Sequence, residues 1–133
     1  CGWTRSCGRR RRPRTSQRKL VALREQGVLI IGSGNIVHNL RAISWEHIDQ
    51  IGAGYDWAYV FRDQINHAMT TQNNDELVHY EQFGEGAALS VPTPDHYLPL
   101  LYVMALREPD EKVAFFNDHL IAGSLSMTSV LVG

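Results

Sequence analysis

Two of the six histidines in this 133-residue chain stand where side chains usually do chemistry. His38 follows Val28-Leu29-Ile30-Ile31-Gly32-Ser33-Gly34-Asn35, an aliphatic run that ends in a glycine turn. His96 lies behind Pro92-Thr93-Pro94-Asp95. An imidazole changes charge near neutral pH, so it can take up and return a proton as a general acid or base. In its neutral form it also ligates transition metals. The competing reading for either residue alone is a satisfied, hydrogen-bonding histidine with no chemical role. Placement at the starts of elements, beside Asn35, Asn39, Asp95 and Tyr97, gives the functional reading its weight. His47, His67, His79 and His119 read as surface histidines.

The elements that position these two residues follow from local pattern. Val28 to Ile31 is too short and too β-branched for a helix, which predicts a buried strand. Gly32 and Gly34 allow positive φ and close backbone approach, so a sharp turn is expected at that strand's carboxyl end. In open α/β sheets this edge is where ligands bind. Before it, Lys19 to Glu25 fits the last turns of an amphipathic helix stopped by Gly27. After it, Ile36 to Arg41 reads as irregular or as a short helical turn carrying His38, and Gly52 and Gly54 mark a loop.

Asp56 reads as the N-cap of a helix from Trp57 to Thr71. Its spacing buries Trp57, Val60, Phe61, Ile65, Ala68 and Met69 and turns Arg62, Asp63, Asn66 and His67 to water. A turn at Asn73 to Asp75 precedes a shorter helix from Glu76 to Phe83, which Gly84 and Gly86 break. Thr93 as N-cap with Pro94 at the first helical position predicts a helix start that carries His96 in its first turn. Val113 to Phe116 and Met127 to Val132 are candidate strands. This order of elements predicts an α/β fold, a sheet with helices packed on it.

Charge divides the chain sharply. Eight of the 13 basic residues precede residue 20, whereas all 14 acidic residues follow it, so residues 20–133 balance to −9. Such an acidic body is a poor nucleic-acid surface. Residues 1–17 have the composition of a basic, disordered head, foreign to the rest of the fold; the alternative function class is an interaction protein that binds nucleic acid through this head. Cys1 and Cys7 match neither a zinc site nor a disulfide framework. No apolar run approaches the roughly 20 residues that cross a bilayer, and the arginines at the start lead into no signal-peptide core. A cytoplasmic protein is the expectation.

The glycine turn also invites a cofactor reading. Gly32-x-Gly34-x-x-Val37 lacks the third glycine of the dinucleotide fingerprint, and no strand end presents an acid to a ribose near Asp56. No Gly-Lys-Ser/Thr follows, and Ser33 lacks an esterase-type elbow.

Gly27 to Arg41 (GVLIIGSGNIVHNLR) and Val91 to Val103 (VPTPDHYLPLLYV) together resemble the C-terminal half of 4,5-DOPA-type extradiol dioxygenases. These belong to the class III extradiol ring-cleavage enzymes. Ala114 to Asn117 and Gly123 to Met127 are similar to the closing segment of that family, so the resemblance spans residues 18–133. It implies the C-terminal part of a mixed sheet flanked by helices, an incomplete domain. It implies a divalent metal, Fe(2+) or Zn(2+), with His96 as ligand and His38 as catalytic acid/base or additional ligand. The implied reaction inserts both atoms of dioxygen into a catechol-type substrate. The family's N-terminal half carries two further metal histidines that this sequence lacks, so the chain alone is expected to be inactive.

Overall fold

The structure, a computed structural model, describes residues 14–133, with side chains from residue 19 onward. Cys1, Cys7 and most of the basic head assigned to residues 1–17 lie outside the described residues. The chain divides between Ile30 and Ile31 into two units. The first contains helix α1 (Arg14–Glu25). Its end follows the expected rule. Gly27 sits at φ 78°, its N–H donates to the Arg24 carbonyl, and the Val28 N–H donates to the Leu23 carbonyl. This pair of bonds is a Schellman stop, which needs a left-handed residue and so favours glycine.

Val28 to Ile31 does not form the predicted buried strand: Leu29 is 76% exposed and Ile31 80%. A strand exists only through a neighbour that takes up its backbone N–H and C=O groups. Among the described residues no ladder includes this run.

The second unit opens with extended chain and two 3-10 turns, Leu40–Ala42 and Trp45–His47. Helices α2 (Asp56–Thr70), α3 (Asn74–Val78) and α4 (Glu85–Ser90) follow, with a 3-10 turn at Tyr80–Phe83 between the last two. A 3-10 turn at Pro94–His96 leads to α5 (Leu98–Met104). Four short strands close the chain: β1 (Val113–Phe116), β2 (Leu120–Ile121), β3 (Leu125–Ser126) and β4 (Ser129–Val132). β1 pairs antiparallel with β4, setting Val113 opposite Val132, and β2 pairs antiparallel with β3. An antiparallel bridge joins His38 to Leu125 and a parallel one joins Gly54 to Gly123. The class is α/β, as expected, with helices against small sheets.

α2 is the core helix, and it forms where the apolar spacing predicts. Ala58, Phe61, Ile65, Ala68 and Met69 are buried and pack with Val37, Leu77, Tyr97, Met104 and Leu120. Two assignments of its faces are corrected. Val60 is 57% exposed, and Arg62 is only 8% exposed. Arg62 turns inward because Asp118 waits there: its Nη1 donates to the Asp118 carboxylate at 2.8 Å and to the Asp118 carbonyl at 3.0 Å. A buried guanidinium is tolerated when it is paired and hydrogen-bonded in this way.

The remaining boundaries shift for local reasons. The helix expected over Glu76 to Phe83 is split into α3 and a 3-10 turn, and Gly86 lies inside α4. Thr93 makes no side-chain cap, and the expected single helix is a 3-10 turn followed by α5. Pro99 has no N–H to return to residue 95, so the α-helical ladder cannot run back through the His96 turn.

Candidate functional site

His38 is held from two sides. Its own backbone N–H donates to the Ser90 carbonyl at the end of α4, 2.8 Å away. Its neighbours bond instead to the hairpin formed by β2 and β3. The Val37 N–H donates to Ser126 Oγ at 3.1 Å, and the Ser126 N–H returns to the Val37 carbonyl at 3.0 Å. The Asn39 N–H donates to the Ser124 carbonyl at 3.1 Å, while Ser124 Oγ donates to the Asn39 carbonyl at 2.7 Å. Successive groups of an extended backbone point in alternate directions, which explains why residues 37 and 39 bond the hairpin and residue 38 does not. The Asn39 side chain adds a bond to the Leu89 carbonyl at 2.7 Å.

The same hairpin fixes the loop beyond. Ser44, Gly52 and Tyr55 donate their N–H groups to the carbonyls of Ala122, Leu120 and Gly123. Ser124 and Ser126 are fully buried although polar, since their hydroxyls are used by the backbone of the His38 segment.

His96 is positioned by close backbone approach. Its carbonyl accepts the Asn35 N–H at 2.9 Å, and Asn35 Nδ2 donates to the Ser126 carbonyl at 2.6 Å. A Cβ added at Gly34 would collide with the His96 carbonyl oxygen. One added at Gly32 would lie 2.9 Å from the Pro99 carbonyl and 2.8 Å from a Val103 methyl. Neither glycine has positive φ. The turn needs glycine because two backbones touch there, not because the chain bends into the left-handed region.

These supports bring the two imidazoles face to face. Their centroids are 3.6 Å apart and their planes differ by 14°. His96 is exposed and His38 half-buried. Burial, followed by the adjacent His96, holds the His38 imidazole below its ordinary pKa, against a smaller opposing contribution from its own backbone. That direction favours the neutral imidazole, the form that accepts a proton or meets a metal.

The donor chemistry fits a divalent metal, but the set is short. Among the described residues no group of three or more His, Cys, Asp or Glu could hold one. A metal lies about 2 Å from a ligating nitrogen, in the plane of its ring. With the rings stacked, a cation in the plane of one imidazole is well out of the plane of the other. As placed, the pair offers one good ligand with a second imidazole beside it.

Tyr97, next in sequence to His96, is not part of this constellation. It is buried, donates to the Leu77 carbonyl at 3.0 Å, and burial pushes its phenol far above the usual range. His67 and His79 are exposed, whereas His47 and His119 are half-buried; His47 Nδ1 shares a hydrogen bond with Ser44 Oγ at 2.7 Å. Sequence reasoning missed Ser124, Ser126 and the Asn35 side chain. The available signal was the alternation of Ser124 and Ser126 about Leu125, which puts both hydroxyls on one face of an extended segment.

No protein-family model matches the chain. Over 119 residues it is 44% identical to "4,5-DOPA dioxygenase extradiol" of Escherichia coli (strain K12), covering 87% of this chain and 42% of that protein. It is 28% identical over 110 residues to the protein of the same name from Beta vulgaris, covering 83% of this chain and 40% of the relative. The crystal structure of an uncharacterized protein from Escherichia coli K12 superposes with a TM-score of 0.75 at 41% identity, covering 86% of this chain and 46% of that one. The chain thus spans less than half the length of these relatives, and its resemblance to the extradiol dioxygenases extends well beyond the two histidine motifs. Among the described residues no helix is long and apolar enough to cross a membrane.

Proposed function

We propose that this chain is the carboxyl-terminal portion of an extradiol ring-cleavage dioxygenase, acting on a catechol-type substrate and dioxygen. The reading rests above all on the stacked pair: two imidazoles from distant segments meet at 3.6 Å. It takes further support from the two relatives whose name is extradiol dioxygenase.

In this reading His96, the exposed ring, is a ligand of Fe(2+) or Zn(2+). When bound, the metal brings catecholate and dioxygen together by offering open coordination positions. His38 stands beside it as acid/base, taking the catechol proton and later returning it. Its partial burial, which favours the neutral form, suits that task, and the stacked geometry favours this role over a second ligand bond. Hydrogen bonds to α4 and the β2–β3 hairpin fix the backbone that carries the ring.

Two imidazoles are a weak donor set for a divalent ion, so further ligands come from outside residues 18–133. The test is oxygen uptake by the purified chain with ferrous iron and a catechol. Background uptake is expected from the chain alone, rising when the part of the Escherichia coli relative that it does not cover is supplied. That gain disappears in His96→Ala and His38→Ala. Robust turnover by the chain alone would show that further histidines are unnecessary. An unchanged background in the supplemented mixture would remove the dioxygenase reading.

No observation on the described residues favours nucleic-acid binding through the basic head.

A further inference from the structure

Among the described residues, Asn35 bonds both supports of the histidine pair. Its backbone N–H holds the His96 carbonyl at 2.9 Å, and its side-chain amide holds the Ser126 carbonyl at 2.6 Å. Ser126 in turn holds Val37, next to His38, through its own N–H and hydroxyl. Three segments far apart in sequence therefore meet at one asparagine: the extended His38 segment, the β2–β3 hairpin and the His96 turn. Gly34 completes the contact, because any side chain there would displace the His96 carbonyl.

We propose that Gly34 and Asn35 form a clasp that sets the separation of the two imidazoles, making both positioning residues for the site. The proposal takes from the preceding reading only that His38 and His96 act together. The physical basis is the steepness of the geometry. Stacking at 3.6 Å is lost when one ring shifts by a fraction of its own width, and both backbones entering the stack are fixed through this contact. Elsewhere the His38 segment is tied to α4 and the hairpin, whereas the His96 turn is tied to itself by the Tyr97 N–H to the Pro94 carbonyl and to α3 by the Tyr97 hydroxyl. Without the clasp, no direct hydrogen bond among the described residues joins the His96 turn to the His38 segment or the hairpin.

The experiment uses the metal-free chain and reads the ring protons of His38 and His96 by NMR. Each ring shields the other in the wild type, and His38→Ala and His96→Ala give the unshielded positions. Gly34→Ala is expected to move both sets of protons most of the way to those positions. Asn35→Ala is expected to move them less, since the backbone bond to His96 survives. Met69→Ala, a core truncation in α2, lowers stability without touching the site and is expected to leave the shielding intact. Full shielding in a folded Gly34→Ala overturns the proposal, as does equal loss in Met69→Ala. If Gly34→Ala does not fold, the decision passes to Asn35→Ala, and unchanged ring protons there overturn it.

Zinc titration of the same proteins separates this idea from the functional reading. The clasp predicts a zinc affinity about 10- to 100-fold weaker in Gly34→Ala than in the wild type, the usual cost of losing support behind a ligand. A wild type that ignores zinc while Gly34→Ala loses its shielding refutes the metal reading and keeps the clasp. A wild type that binds zinc beside a fully shielded Gly34→Ala does the reverse.

Discussion

Val28 to Ile31 and Leu120 to Ser126 are both rich in aliphatic residues and opposite in fate. The first is purely aliphatic, yet Leu29 and Ile31 stand in water. The second carries two serines, yet both are among the most deeply buried residues of the chain. Hydrophobicity ranks residues by what they gain from burial, but burial also requires neighbours that satisfy the backbone. The hairpin has such neighbours on both sides, through residues 35–39 and 44–55. The aliphatic run joins no ladder among the described residues, and its Val28 N–H only bonds back to the Leu23 carbonyl at the helix end. Around the candidate site, hydrogen-bond satisfaction decides the arrangement more than apolar content does.

The contrast is most easily broken from the hairpin. Leu120 is fully buried, and Leu120→Ala should lower unfolding stability by about 2–5 kcal/mol in a denaturant titration. Ser126→Ala leaves the Val37 N–H without its acceptor, and a loss of about 1–3 kcal/mol is expected by the same measurement. If Ser126→Ala were neutral, the buried serine would be filling space rather than holding the His38 segment.

Acid titration gives a graded version of the same test. Burial raises the Asp118 pKa, but hydrogen bonds from Thr128, Arg62 and Asn66 and the Arg62 charge outweigh it, leaving the carboxyl below its ordinary value. A group depressed in the folded state stabilises it fully above the unfolded pKa of about 4 and loses that contribution as pH falls through the folded value. Tm should therefore decline below about pH 4, and Asp118→Asn should lower Tm at pH 7 while flattening that decline. The smallest effect belongs to the aliphatic run. Leu29→Ser and Ile31→Ser should each change stability by no more than about 0.5 kcal/mol. A cost of several times that would mean the run is covered in solution.

What the sequence disclosed followed the range of the interaction involved. α2, the Gly27 stop, β1 and most of β4 were legible because each depends on residues within a few positions of one another. The inward turn of Arg62 was not, because its partner Asp118 is 56 residues away and a charged residue on a helix reads as solvent-facing. β2 and β3 are two residues each, so beyond the alternation of Ser124 and Ser126 about Leu125 the hairpin that holds His38 left little periodic signal. His38 and His96 stood out by their settings and by resemblance to a family. Their meeting at 3.6 Å depends on Gly34, Asn35 and Ser126, whose partners only a folded chain reveals.

The unequal accessibility of the two rings has a directional consequence. His96 faces solvent, and His38 sits behind it in partial shelter. The pair therefore presents one ring to bulk water and keeps the other partly withdrawn. Under the proposed dioxygenase reading, the same asymmetry would put the metal ligand outermost and the acid/base within, with no moving part required.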